Sequence, residues 1–180
     1  MEKRTIMEVM KGTADKFGDR FALKTKIEGN WEETTWQVYY DQVRTTARAF
    51  IALGLERNMA ISILGNNRPQ WVISNMAAIF AGGIPGGIYT TNSPEQCRYI
   101  AHHSQAVIAV VENKAQLAKF KEIRQDLPGL KAIVLMTGSD EDAQVFSWED
   151  LEKIATTTSE ADLDQRMGIQ RPDDCCSLIY

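Results

Sequence analysis

Three loops carry residue types from which a ligand site could be built. Gly65-Asn66-Asn67-Arg68-Pro69 follows a short apolar run and leads into an apolar-periodic stretch. Amides and a guanidinium are groups that hold a phosphate or carboxylate, and a helix N-terminus favours anions. The plainer reading is a strand-to-helix turn with an asparagine absorbing an awkward backbone angle, and it carries more weight. Gly82-Gly83-Ile84-Pro85-Gly86-Gly87 places four glycines within six residues. Phosphate cradles are glycine-rich too, but neither the dinucleotide pattern nor the P-loop pattern is present, and no Lys-Ser or Lys-Thr follows. These glycines are expected to end a helix and let a strand pack closely. Tyr89-Thr90-Thr91-Asn92-Ser93 sets hydroxyls ahead of a helix start, although capping alone accounts for Ser93.

Nucleophiles and metal ligands are poorly spaced. His102 and His103 are neighbours. On a helix they diverge by about 100° and cannot share a metal as an i, i+4 pair does. Cys97 lies five residues before His102, which is also poor spacing. Neither a metal site nor a Cys-His nucleophile is expected, and no Gly-x-Ser-x-Gly elbow occurs. The residues alone therefore point to an α/β domain that binds something at its strand ends.

The elements that would position these loops follow from periodicity. Thr5 and Glu8 have the spacing of a capping box, and Ile6, Val9, Met10, Thr13, Ala14 and Phe17 then share a helix face. Phe21, Leu23, Thr25 and Ile27 alternate with polar or small residues as a half-buried strand. Glu28-Gly29-Asn30 turns it into a hairpin with Trp31 to Thr35. Thr34 or Thr35 caps a helix with Trp36, Tyr40, Val43, Ala47, Phe50 and Ile51 inward. Ala60 to Leu64, Ile84 to Tyr89, Ala106 to Val111 and Lys131 to Met136 read as strands of the buried, parallel type. Helices lie between them, one inward through Trp71, Val72, Met76, Ile79 and Phe80, one opened by Ser93-Pro94-Glu95-Gln96, and one over Lys114 to Arg124. Ser147 with Asp150 starts another, and Cys175 to Tyr180 is a last apolar run. Strands alternating with helices predict an α/β fold with a mainly parallel sheet, preceded by a helix and a hairpin.

Composition bounds the function. The 180 residues carry a net charge of −4, which argues against nucleic acid as the main partner. Eleven acids against three bases fall between Ser139 and Asp174, read as a solvated, loosely packed connection. No apolar run approaches the ~18 residues of a membrane span, and no apolar signal core follows Met1-Glu2-Lys3-Arg4. Three cysteines without framework spacing fit a reducing compartment, so a cytoplasmic location is expected, with at most peripheral membrane contact. The units expected are 1–58 (helix, hairpin and first long helix), 59–138 (parallel α/β) and 139–180 (acidic connection and a final strand). Natural domains seldom end on a core strand, so the chain is expected to be truncated after Tyr180.

Several segments carry a resemblance. Gly65-Asn66-Asn67-Arg68-Pro69-Gln70-Trp71 resembles the Trp-ended turn of acyl-CoA synthetases in the adenylate-forming superfamily. Phe80 to Glu95, reading FAGGIPGGIYTTNSPE, is similar to the corresponding segment of the long-chain members. Arg171 to Tyr180 looks like the strand that leads into that family's phosphate loop. The paired Cys175-Cys176 and the wording around Tyr89 to Cys97 look most like the bubblegum-type long-chain branch. Arg68, Gln70 and Pro85-Gly86 depart from the usual residues without disturbing the register.

The resemblance implies an incomplete N-terminal part of the large adenylate-forming domain. It implies a parent protein in which a fatty acid carboxylate attacks the α-phosphate of ATP with Mg2+, giving acyl-adenylate and pyrophosphate. Coenzyme A then displaces AMP to give the thioester of lipid metabolism. It places the Thr/Ser/Gly-rich phosphate loop, the adenine pocket, the magnesium carboxylate and the catalytic lysine beyond Tyr180. No catalytic residue and no metal ligand is assigned to this chain. Tyr180 alone is implied at the flank of the ATP loop, with a buried strand-end aromatic as its plain reading. The chain by itself is expected to be inactive and to bind none of ATP, Mg2+ or coenzyme A tightly. Two other readings stay open: a ligase for another carboxylate, and a stand-alone, non-catalytic binding module.

Overall fold

The computed structural model describes residues 3–180. Helix α1 (Ile6–Phe17) starts on the expected capping box, the Glu8 N–H donating to Thr5 Oγ1 at 3.2 Å and the Thr5 N–H to Glu8 Oε2 at 2.7 Å. Its inward stripe is Met7, Met10 and Ala14, while Ile6 and Val9 of the predicted face are 40% and 45% exposed. The buried stripe is thus turned from the expected face toward Met7.

Strands β1 (Phe21–Ile27) and β2 (Asn30–Thr35) pair antiparallel as a separate two-stranded sheet. The expected burial of alternate residues fails at both ends, Phe21 and Ile27 being 54% and 46% exposed. A register shift between Phe21 and Leu23 breaks the alternation, and no strand of the main sheet pairs with the hairpin. Thr35 then caps α2 (Trp36–Ala52), whose buried residues include Tyr40, Val43, Ala47 and Phe50.

The main sheet is parallel. It contains β3 (Ala60–Leu64), β4 (Ile84–Ile88), β5 (Ala106–Val111), β6 (Ala132–Leu135) and β7 (Val145–Ser147), in the spatial order β4-β3-β5-β6-β7. Helix α3 (Pro69–Phe80) connects β3 to β4, and α4 (Pro94–His103) carries the chain back across to β5. Helix α5 (Lys114–Ile123) connects β5 to β6. Period-two alternation divides the core into two layers. Ile61, Ile63, Ile108, Val110 and Val134 face α1, α2 and α3. Leu64, Ala109, Val111, Ile133 and Leu135 face α4 and α5, where Cys97, Ile100, Leu117 and Phe120 complete the layer.

The acidic stretch is not loosely packed. It adds β7 to the sheet edge and then forms α6 (Asp150–Ala155) and α7 (Glu160–Gly168). Leu151, Ala155 and Leu163 are buried in the first layer. Asp150, Glu152, Glu160, Asp162 and Asp164 of these helices stay at the surface, and Glu160 and Asp164 pair with Arg44 and Arg48 of α2. Arg166 also ties α7 to the main chain, donating to the Leu55 carbonyl at 2.7 Å.

Cys175 to Tyr180 does not form the buried strand expected of it. It touches the sheet through one parallel bridge, Gly86 with Leu178, where the Leu178 N–H donates to the Pro85 carbonyl at 2.9 Å. Ile179 is 95% exposed. Leu178 and Tyr180 lie against Gly86 of the edge strand β4, and Cys176 packs on the first core layer.

Candidate functional site

The order of strands locates the site. The chain runs from β3 to β4 on one side, then returns across β3 to place β5 on the other. Open parallel sheets bind ligands outside the carboxyl ends of their strands, where the order reverses in this way. Here that point lies between the loops after β3 and β5, at Gly65-Asn66-Asn67 and Glu112-Asn113.

Glu112 joins these loops. Its Oε2 accepts from the Asn66 main-chain N–H at 2.9 Å and from Asn66 Nδ2 at 3.0 Å. Its Oε1 lies 3.9 Å from a guanidinium nitrogen of Arg68. That guanidinium also donates to Thr137 Oγ1 at 2.8 Å and to Gln70 Oε1 at 2.9 Å. Arg68 therefore holds the ends of β3, β5 and β6 together and is not free to hold an anion in this arrangement. Neither Asn66 nor Asn67 has a positive φ, so the turn needs no strained asparagine.

A cleft of about 380 Å³ opens beside this network. Asn66, Asn75 and Thr90 supply polar groups, and Trp71, Tyr89 and Tyr180 supply aromatic walls. The Thr90 hydroxyl reaches Asn66 Oδ1 at 3.4 Å. Behind it, Lys119 Nζ donates to the Thr90 and Asn92 carbonyls, each at 2.8 Å. Ser93 caps α4 in the expected box with Gln96 and leaves the cleft to Thr90.

The glycine-rich segment serves packing. Gly82, at φ +84°, ends α3 in a conformation that favours glycine. A Cβ on Gly83 would stand 3.0 Å from the Met59 carbonyl and from Leu55. Gly86 and Gly87 leave the two faces of β4 bare for aromatic rings, Gly86 for Tyr180 and Gly87 for Trp71. Tyr180 also makes a 2.9 Å hydrogen bond between its hydroxyl and His103 Nδ1, and its ring meets the His103 ring edge-on. Partial burial pushes its phenol above the ordinary value.

The remaining candidates are separated. His103 stacks on Tyr99 and bonds Tyr180. Cys97, on the inner face of α4, is fully buried, and burial pushes its thiol up in spite of the opposing Lys119 charge. Among the described residues no three His, Cys, Asp or Glu side chains gather in a set able to hold a metal ion. Glu112 and Lys119 were invisible as site residues in the sequence. Each acts on a partner at least 27 positions away, and no local motif marks either.

The chain is 40% identical to long-chain-fatty-acid–CoA ligase ACSBG2 of Xenopus laevis over 98% of its own length and 24% of that protein's. It is 40% identical to ACSBG1 of Bos taurus over 98% of its length and 25% of the relative's. The chain thus spans about a quarter of the relatives it matches. Its fold superposes on coronafacic acid ligase from Pectobacterium brasiliense with a TM-score of 0.77 at 14% identity, covering 97% of this chain and 33% of that one. It superposes on the long-chain-fatty-acid–CoA ligase FadD1 of Archaeoglobus fulgidus with a TM-score of 0.72 at 16% identity, covering 88% of this chain and 31% of that one. The family model described as AMP-binding enzyme matches residues 10–180, and the chain belongs to that family.

Proposed function

We propose that a protein of the relatives' length containing this chain activates long-chain fatty acids with ATP and transfers the acyl group to coenzyme A. The observation that carries this reading is the 40% identity maintained over 98% of the chain with long-chain-fatty-acid–CoA ligases. A carboxylate is a poor acyl donor because its leaving group would be oxide. Adenylation replaces oxide with AMP, and the thiol of coenzyme A can then displace it. Such a step needs positive charge and N–H groups on the phosphates.

The described residues contribute shape to that reaction. Glu112 and Arg68 lock the strand ends, and the cleft beside Asn66 and Thr90 offers one wall of a binding site. Tyr180, on Gly86 and His103, stands at the flank of the nucleotide in this reading. In this reading the chain's part in the reaction is a scaffold, and Mg2+ is held with the ATP phosphates elsewhere in the longer protein. The proposed setting is the cytoplasm, with at most peripheral contact to membranes. Among the described residues no helix is long and apolar enough to cross one.

The test is pyrophosphate exchange into ATP by the longer protein, with palmitate and without coenzyme A. Palmitate-dependent exchange supports adenylation. Exchange that ignores the fatty acid contradicts it.

A further inference from the structure

Lys119 points from α5 to the loop that follows β4. Its ammonium is half-buried, and among the described residues it forms no ion pair with a carboxylate. Removing water from an ammonium is unfavourable unless acceptors replace it. The Thr90 and Asn92 carbonyls do so at 2.8 Å each. Packing of α5 does not require a cation at this position, since Leu117, Phe120 and Ile123 supply its buried face.

The two carbonyls belong to a loop with little support of its own. Its internal main-chain bond runs from the Asn92 N–H to the Tyr89 carbonyl at 3.0 Å. Tyr89 and Thr90 line the cleft, and Thr90 reaches Asn66 across it. A charged donor that grips the carbonyls on both sides of Thr91 restricts the loop to one shape.

We propose that Lys119 is a positioning residue, whose ammonium fixes the Tyr89–Asn92 loop so that Thr90 faces Asn66 across the cleft. It acts through the loop and touches no reacting atom. The proposal rests on the reading that this cleft belongs to the acyl-CoA-forming site, and the experiment separates the two.

The first arm is hydrogen exchange on the present chain, comparing wild type with Lys119→Met, which keeps the apolar stem and loses the donors, and with Lys119→Arg. The Asn92 and Ser93 amides should exchange about tenfold faster in Lys119→Met while β3 and β5 stay unchanged, and Lys119→Arg should recover part of the protection. Unchanged loop exchange, or faster exchange throughout the chain, overturns the proposal. The second arm is kinetics of the longer protein. Lys119→Met should raise the KM of at least one substrate about fivefold with kcat within about twofold. A fall in kcat with every KM unchanged is the mark of a merely structural lysine and overturns the proposal. Absence of acyl-CoA from the wild-type longer protein sinks the ligase reading instead, and the exchange arm still decides the role of Lys119.

Discussion

Glu112 and Asn66 are joined twice through one oxygen, with Glu112 Oε2 2.9 Å from the Asn66 main-chain nitrogen and 3.0 Å from its side-chain nitrogen. The carboxylate is only 15% exposed, although its partner Asn66 is exposed. Glu112→Ala leaves the Asn66 main-chain and side-chain N–H groups without this acceptor and removes the charge beside the Arg68 guanidinium. It should cost about 2–3 kcal/mol, and Glu112→Gln about 1 kcal/mol. Urea unfolding checks this as a lowered midpoint at unchanged slope. Equal stability of all three proteins would show that the strand ends are held by other contacts.

Two glycines of the Gly82–Gly87 segment should respond differently to alanine. The Cβ of Gly83→Ala meets the Met59 carbonyl at 3.0 Å, a main-chain atom that cannot move aside cheaply. A cost of about 1–3 kcal/mol follows from this overpacking. The Cβ of Gly86→Ala meets the Tyr180 ring at 3.7 Å, an ordinary contact. That change should stay within about 0.5 kcal/mol. Thermal midpoints of the two variants should therefore separate clearly.

Acid should unfold the protein partly through its serine-bound carboxylates. Side-chain and then main-chain hydrogen bonds from Ser147 and Ser159 hold Asp150 and Asp162 below the ordinary carboxylate range. A folded value below the unfolded one gives stability that is full above the unfolded value, near pH 4, and is lost as pH falls through the folded value. Urea midpoints should drop as pH falls from about 5 to about 3. The drop should be shallower in Asp150→Asn/Asp162→Asn. An identical slope in that variant would place the acid sensitivity elsewhere.

Arg44 should not tolerate lysine. Its guanidinium, 16% exposed, bonds Glu160 and lies 2.8 Å from Asp164, joining α2 to α7. Lysine offers a point charge where a planar fork serves two carboxylates. Arg44→Lys should cost about 1–2 kcal/mol and expose the residue 160–180 region to protease first. Unchanged cleavage kinetics would show that Leu163 and Arg166 suffice to dock α7.

The sequence revealed those features whose signals are local. β5 and β6 are unbroken apolar runs, β3 is broken only by Ser62, and Ser93-Pro94-Glu95-Gln96 holds a complete helix start, which the structure reproduces. Where the signal depends on a distant partner, the sequence misled. Charge density made Ser139–Asp174 look solvated, yet Leu151, Ala155 and Leu163 are spaced among the acids and buried. The capping box of α7 uses Asp162 where Glu or Gln is usual, so that helix went unread. β7 has three residues, too few for a period to show. The loops of the site were found because they follow apolar strands. Glu112 and Lys119, which hold those loops, became visible only once the fold had brought distant segments together.

In the proposed reading, a protein of the relatives' length built on this chain is an AMP-forming long-chain fatty acid–CoA ligase. The most direct measurement is to supply that protein with palmitate, ATP, Mg2+ and coenzyme A and to quantify AMP and palmitoyl-CoA, with the present 180-residue chain assayed in parallel. Equal amounts of AMP and palmitoyl-CoA are expected from the longer protein, and no turnover from the present chain. ADP in place of AMP, no thioester from the longer protein, or turnover by the present chain would contradict the reading.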